Sequence, residues 1–116
     1  MGLIEELSDL GVDVDDALTR FMNNSALYER MLKKLPKFAE DAVVMPFVES
    51  GDFETALSNA HTLKGVMGNL SIVPLYKSYT EAVNLFREGN TEAARELLIQ
   101  SADLQQKIID CINKYM

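Results

Sequence analysis

The chain of 116 residues contains no tryptophan, one cysteine, one histidine and three prolines. Each shortage excludes something. A lone cysteine, Cys111, cannot close an internal disulfide, and a single histidine far from that cysteine offers no ligand spacing for a metal or haem. No apolar run is long enough to span a bilayer and no leader-like segment opens the sequence, so a cytoplasmic protein with no membrane role is expected. The prolines are scattered, and no Gly/Ser-rich, low-complexity or charge-block stretch interrupts the chain. Residues 1–116 are therefore read as one domain, with 47% hydrophobic residues to supply a core.

Positive charge is also scarce. Eleven Lys and Arg face eighteen Asp and Glu, giving a net charge of -7. The imbalance lies early: residues 1–60 hold twelve acids and five bases, residues 61–116 six of each. Such a chain has no electrostatic footprint for a phosphate backbone, and the one basic cluster, Lys33, Lys34 and Lys37, runs straight into Glu40 and Asp41. Nucleic acid is excluded as a partner, and the cluster reads as a solvated helix face.

What is present is helical spacing from end to end, with Gly, Asn and Asp as punctuation. Leu3 to Leu10 predicts a short helix stopped by Gly11, and Asp13 caps a second that turns Val14, Ala17, Leu18 and Phe21 inward. After Asn23-Asn24-Ser25, a long stripe follows: Leu27, Tyr28, Met31, Leu32, Leu35, Phe38, Ala42, Met45 and Val48, ending near Gly51. Pro36 and Pro46 should kink or divide it. Gly51-Asp52 reads as stop and cap for a helix over 53–70. Ser71 is expected to cap the next, with Pro74 in its first turn, to about Glu88; Gly89-Asn90-Thr91 opens the last. Four long amphipathic helices with short connections predict an all-α fold, an antiparallel four-helix bundle with one or two short N-terminal helices. The likeness of "GDFETA" to "GNTEAA" reflects only a shared stop, cap and acidic first turn, not a repeat.

The histidine lies in "AHTLKGVMGN", where two glycines stand close to it although each costs about 1 kcal/mol against alanine inside a helix. At 100° per residue, Phe53, Ala56, Leu57, Ala60, Leu63, Met67 and Leu70 share one side, while Glu54, Ser58, His61, Gly65 and Gly68 share the other. His61 thus points away from the core stripe. Lys64 and Gly65 lie one turn on, to either side, and Gly68 nearly in line two turns on. Little stands above the helix there, so another macromolecule could bring a reacting group against the imidazole, with an ammonium nearby to offset negative charge. That arrangement suits phosphoryl transfer, which needs chiefly positioning and charge stabilisation.

"AHTLKGVMGNLSIVPL" resembles the signature of histidine-containing phosphotransfer domains of bacterial two-component phosphorelays. In that family leucine, lysine and glycine occupy the second, third and fourth positions after the histidine, often with asparagine, an apolar residue and a later leucine, here Asn69, Leu70 and Leu75. "GVDVDDALTRF" and "ALYERMLKKLPKF" are also similar to its N-terminal region, so the resemblance covers nearly the whole chain; Ser71 stands where the family usually has glycine. The resemblance implies that His61 takes a phosphoryl group from a receiver-domain aspartate and passes it to another receiver. It implies further that Lys64 neutralises charge, and that Ser58, Thr62, Gly65, Gly68 and Asn69 form the docking face. The protein would then be a phosphocarrier without ATP-dependent kinase activity, with no cofactor of its own and with Mg²⁺ held by the partner receiver.

Other classes fit less well. Sensor-kinase dimerisation domains follow their histidine with an acidic residue and, four further on, a proline; here Thr62 and Val66 stand there, and no phosphate-cradling glycine-rich loop exists. The six methionines prompt a metal or haem bundle, but Met31, Met45 and Met67 fall at core phases, where methionine is filler. Ser58 lies within a turn of His61 without an orienting carboxylate, which disfavours hydrolysis. A non-catalytic helical interaction bundle with an incidental surface histidine is the main alternative. A monomer is the expected state, since no long heptad pattern occurs.

Overall fold

Four helix ends in the computed structural model, which describes residues 2–116, close in one and the same way, and a fifth adds a side-chain tie. The helices are α1 (Leu3–Asp9), α2 (Val14–Arg20), α3 (Ser25–Leu32), α4 (Leu35–Asp41), α5 (Met45–Glu49), α6 (Phe53–Asn69), α7 (Val73–Arg87) and α8 (Thr91–Lys114); no strand occurs among the described residues. After α1, α5 and α7 the chain turns through Gly11, Gly51 and Gly89, at φ of 94°, 81° and 78°. The next amide in each case reaches back to an earlier carbonyl: Val12 to Leu7, Asp52 to Phe47 and Asn90 to Leu85. Such a left-handed turn satisfies carbonyls that the last helical turn leaves orphaned, and glycine enters it without a Cβ penalty.

Two ends make the turn without glycine. Met22 has φ 55° after α2 and Ser71 has φ 56° after α6. Asn23 then donates to the Leu18 carbonyl at 2.7 Å and Ile72 to the Met67 carbonyl at 2.9 Å. Ser71 is therefore not the cap expected for α7. That helix starts from Ile72 with no side-chain cap, and Ser71 instead terminates α6. Its buried hydroxyl donates to Asp16 Oδ2 at 2.7 Å, and its carbonyl accepts the Asp13 amide at 3.0 Å. These bonds tie the end of α6 to α2 and offset the left-handed strain that a non-glycine residue carries.

The expected caps at Asp13 and Asp52 each accept an amide three residues on, and Asn24 and Asn90 cap α3 and α8 in the same way. The long stripe over 25–51 is divided rather than kinked. It forms three short helices, because Pro36 and Pro46 each fall in the first turn of a new helix, where a missing N–H has no intrahelical partner to lose. Phe38, read as part of the inward stripe, is 40% exposed. Only α6, α7 and α8 are long.

α6 packs most extensively on α7, and α7 on α8; α4 and α5 each touch both α6 and α8. One hydrophobic cluster results, running from Leu3 and Leu7 through Tyr28, Leu63 and Met67 to Ile108 and Ile112. α1 lies on α8, where Lys114 donates to Glu6 at 2.6 Å and the Tyr115 hydroxyl also bonds Glu6. No helix among the described residues is long and apolar enough to cross a membrane.

Tyr28, fully buried on α3, donates its hydroxyl to the Leu70 carbonyl at 2.9 Å, and burial pushes its phenol well above the usual tyrosine range. Tyr28→Phe would leave that buried carbonyl short of a donor and is expected to lower the unfolding free energy by about 1–2 kcal/mol in denaturant titration. An unchanged midpoint would show that the carbonyl has another donor. At Ser71, alanine keeps the positive φ and loses the Asp16 bond, whereas glycine loses the bond but relieves the strain. Ser71→Ala is therefore expected to melt at a lower temperature than Ser71→Gly; the reverse order would contradict this account.

Candidate functional site

α6 begins on the Asp52 cap and buries Ala56, Ala60, Leu63 and Met67 against the core. Two residues expected on that side do not join fully: Phe53 is 40% exposed, and Leu57 is only partly buried. His61 is exposed on the opposite side, near the middle of the helix. Its ring makes no hydrogen bond or ion pair. The imidazole is exposed and engages no polar partner.

The residues expected around it divide between two grooves. The first, beside His61 itself, is lined by Glu54, Leu57, Ser58, Thr62 and, from α7, Arg87. Thr62 donates its hydroxyl to the Ser58 carbonyl at 3.1 Å, so that group is engaged within the helix. Arg87 was not legible as a site residue. It sits in the last turn of the next helix, and only counting outward from the turn at Ser71 would bring it opposite the early part of α6.

The second groove encloses about 550 Å³ and receives Lys64, Gly65, Gly68 and Asn69. Lys64 therefore lies on this side of the helix and does not line the groove that contains His61. The opposite wall comes from α2 and α7: Asp16, Arg20, Tyr76 and Lys77. Asp16 Oδ2 accepts from Arg20 Nε at 2.8 Å as well as from Ser71. The Arg20 bond, then the Ser71 bond, hold the Asp16 carboxyl below the usual range, so it stays ionised as a fixed counter-charge.

The two glycines, alike in sequence, differ here. A Cβ added at Gly65 would meet nothing within 4 Å, whereas one at Gly68 would come 3.0 Å from Cδ1 and Cε1 of the Tyr76 ring. Gly68 is half-buried, not on the open face expected for it, because the Tyr76 ring lies across it. Asn69 is exposed as the last residue of α6.

No family model, curated protein or solved structure matches the chain. The residues and their geometry carry the functional argument. Among the described residues no group of three or more His, Cys, Asp or Glu is placed to hold a metal ion. The methionines at core phases are packed against neighbours, Met67 fully and Met31 and Met45 in part.

The difference between the glycines is measurable without any partner. Gly65→Ala is expected to stabilise the protein by about 0.5–1 kcal/mol, the helix-propensity gain at an unobstructed position. Gly68→Ala is expected to gain less or to lose, since the Tyr76 ring must move. Equal stabilisation in thermal unfolding would show that the ring does not constrain Gly68.

Proposed function

We propose that this chain is a phosphorelay intermediate of the histidine-containing phosphotransfer kind, accepting a phosphoryl group on His61 and passing it on. The carrying observation is the imidazole at the middle of α6, exposed and unbonded, one turn from a glycine with nothing above it. A neutral imidazole is a competent nucleophile at cytoplasmic pH, and its lone pair needs only unobstructed approach. In the transfer, an imidazole nitrogen attacks the phosphorus of a receiver's aspartyl phosphate. The N–P bond forms as the P–O bond to the aspartate breaks, and the carboxylate leaves with that electron pair. The same step reversed, on a second receiver's aspartate, regenerates His61.

Phosphoryl transfer asks little covalent chemistry of the protein, so a bare helix face suffices when the partner supplies Mg²⁺ and its carboxylate ligands. In this reading Arg87 and Lys64 approach the transferred charge from either side of α6, and Ser58, Thr62, Gly65 and Asn69 meet the partner surface. α6, α7, α8 and the broken run α3–α5 act as the four members of an antiparallel bundle, which keeps α6 rigid while the partner docks. The protein works in the cytoplasm as a monomer, and it has no kinase activity of its own.

Incubated with phosphorylated receiver domains and Mg²⁺, the wild type is expected to take up label that is stable to base and labile to acid, as a phosphoramidate is. His61→Gln should take up none, and Gly65→Leu should fold but transfer at least about tenfold more slowly through steric exclusion. Label on the glutamine variant, or none on the wild type across a panel of receivers, would leave the non-catalytic interaction bundle as the better reading.

A further inference from the structure

Gly68 is not required by backbone geometry. It sits inside α6 at helical φ, unlike Gly11, Gly51 and Gly89, and a glycine within a helix is a net cost. What its missing side chain admits is the Tyr76 ring, whose Cδ1 and Cε1 lie 3.0 Å from where a Cβ would stand. Tyr76 is nevertheless 40% exposed and has no side-chain hydrogen bond. The Cδ1–Cε1 side of the ring therefore occupies space that a side chain at position 68 would need, and the ring lines the groove that also contains Lys64, Lys77, Arg20 and Asp16. Arg20 donates to Asp16 at 2.8 Å, and that bond and the carboxylate's charge raise its already high pKa.

An exposed aromatic ring admitted by a glycine shares this groove with Lys64 and Lys77, which form no ion pair, and with Arg20, which is paired to Asp16, a concentration of recognition chemistry on a chain of net charge -7. Aromatic side chains with few rotatable bonds supply large contact area at low entropic cost, and cations set register with an acidic partner. A phosphoryl donor is necessarily acidic where it reacts, because it carries an aspartyl phosphate and the carboxylates that hold its metal. The groove opens on the same helix as His61, one to two turns beyond it.

We infer that Tyr76 is a specificity-determining residue for the phosphorylated receiver, and that Gly68 acts only through it, as the positioning residue whose missing side chain makes room for the ring in the docking groove. Gly65 acts differently, by leaving room for the partner directly. This rests on the phosphotransfer reading above.

The test is a double-mutant cycle with steady-state transfer from a phosphorylated receiver, read as KM and kcat separately, with circular dichroism to check folding. Tyr76→Ala is expected to raise KM about fivefold or more at nearly constant kcat, the effect of losing an interface anchor. Tyr76→Phe, which keeps the ring, should stay within about twofold of the wild type. Gly68→Ala should raise KM in the wild type yet add nothing in the Tyr76→Ala background, whereas Gly65→Ala should act equally in both. Wild-type transfer with an unchanged KM in Tyr76→Ala overturns this inference and leaves the phosphotransfer reading standing. So does a Gly68→Ala effect that persists without the ring, or a loss in Tyr76→Phe as large as in Tyr76→Ala. A wild type that accepts no phosphoryl group from any receiver overturns both.

Discussion

The end of the histidine helix is fixed by a residue in a conformation it would not choose. Ser71 adopts φ 56° so that Ile72 can reach back to Met67. Three contacts from outside α6 hold that turn in place: Asp16 on the Ser71 hydroxyl, the Asp13 amide on the Ser71 carbonyl, and the Tyr28 hydroxyl on the Leu70 carbonyl. α2 and α3, short as they are, therefore anchor the C-terminal end of α6. Because α7 leaves directly from that turn, its geometry also decides which α7 residues stand opposite Gly65 and Gly68.

The same anchor has an electrostatic side. Asp16 bonds both Ser71 and Arg20, so the carboxylate that secures the turn also orients a guanidinium toward the groove. A structural bond and a candidate recognition element share one oxygen atom. The N-terminal helices thus do more than cover one end of the core; they build a wall of the second groove. Glu6 links α1 to Lys114 and Tyr115, so the beginning and the end of the described chain are joined as well.

Local signals were legible wherever the backbone requires a particular residue type. Gly11, Gly51 and Gly89 mark helix ends because glycine alone enters the left-handed region freely, and Asp13, Asn24, Asp52 and Asn90 mark helix starts because a short polar side chain can reach the third amide. The left-handed turns at Met22 and Ser71, though the helix ends beside them were expected, were illegible for the complementary reason. A residue that bears strain is compensated by partners distant in sequence, such as Asp16 for Ser71, and nothing local announces them. Of the two outcomes the prolines allowed, a kinked stripe or a divided one, division won, since proline is cheap at a helix start and costly within one.

The 3.6-residue period by itself determined that His61 stands outside the core and that Ala56, Ala60, Leu63 and Met67 stand within, because facing is a property of one helix and needs no neighbour. Which residues of other helices meet that face was decided only by the tertiary structure. Arg87 beside His61, Tyr76 across Gly68, and the separation of Lys64 from the His61 groove all depend on how α7 and α2 are laid against α6. That placement follows from packing and from one turn held by residues 42 or more positions away, and no periodicity within α6 encodes it.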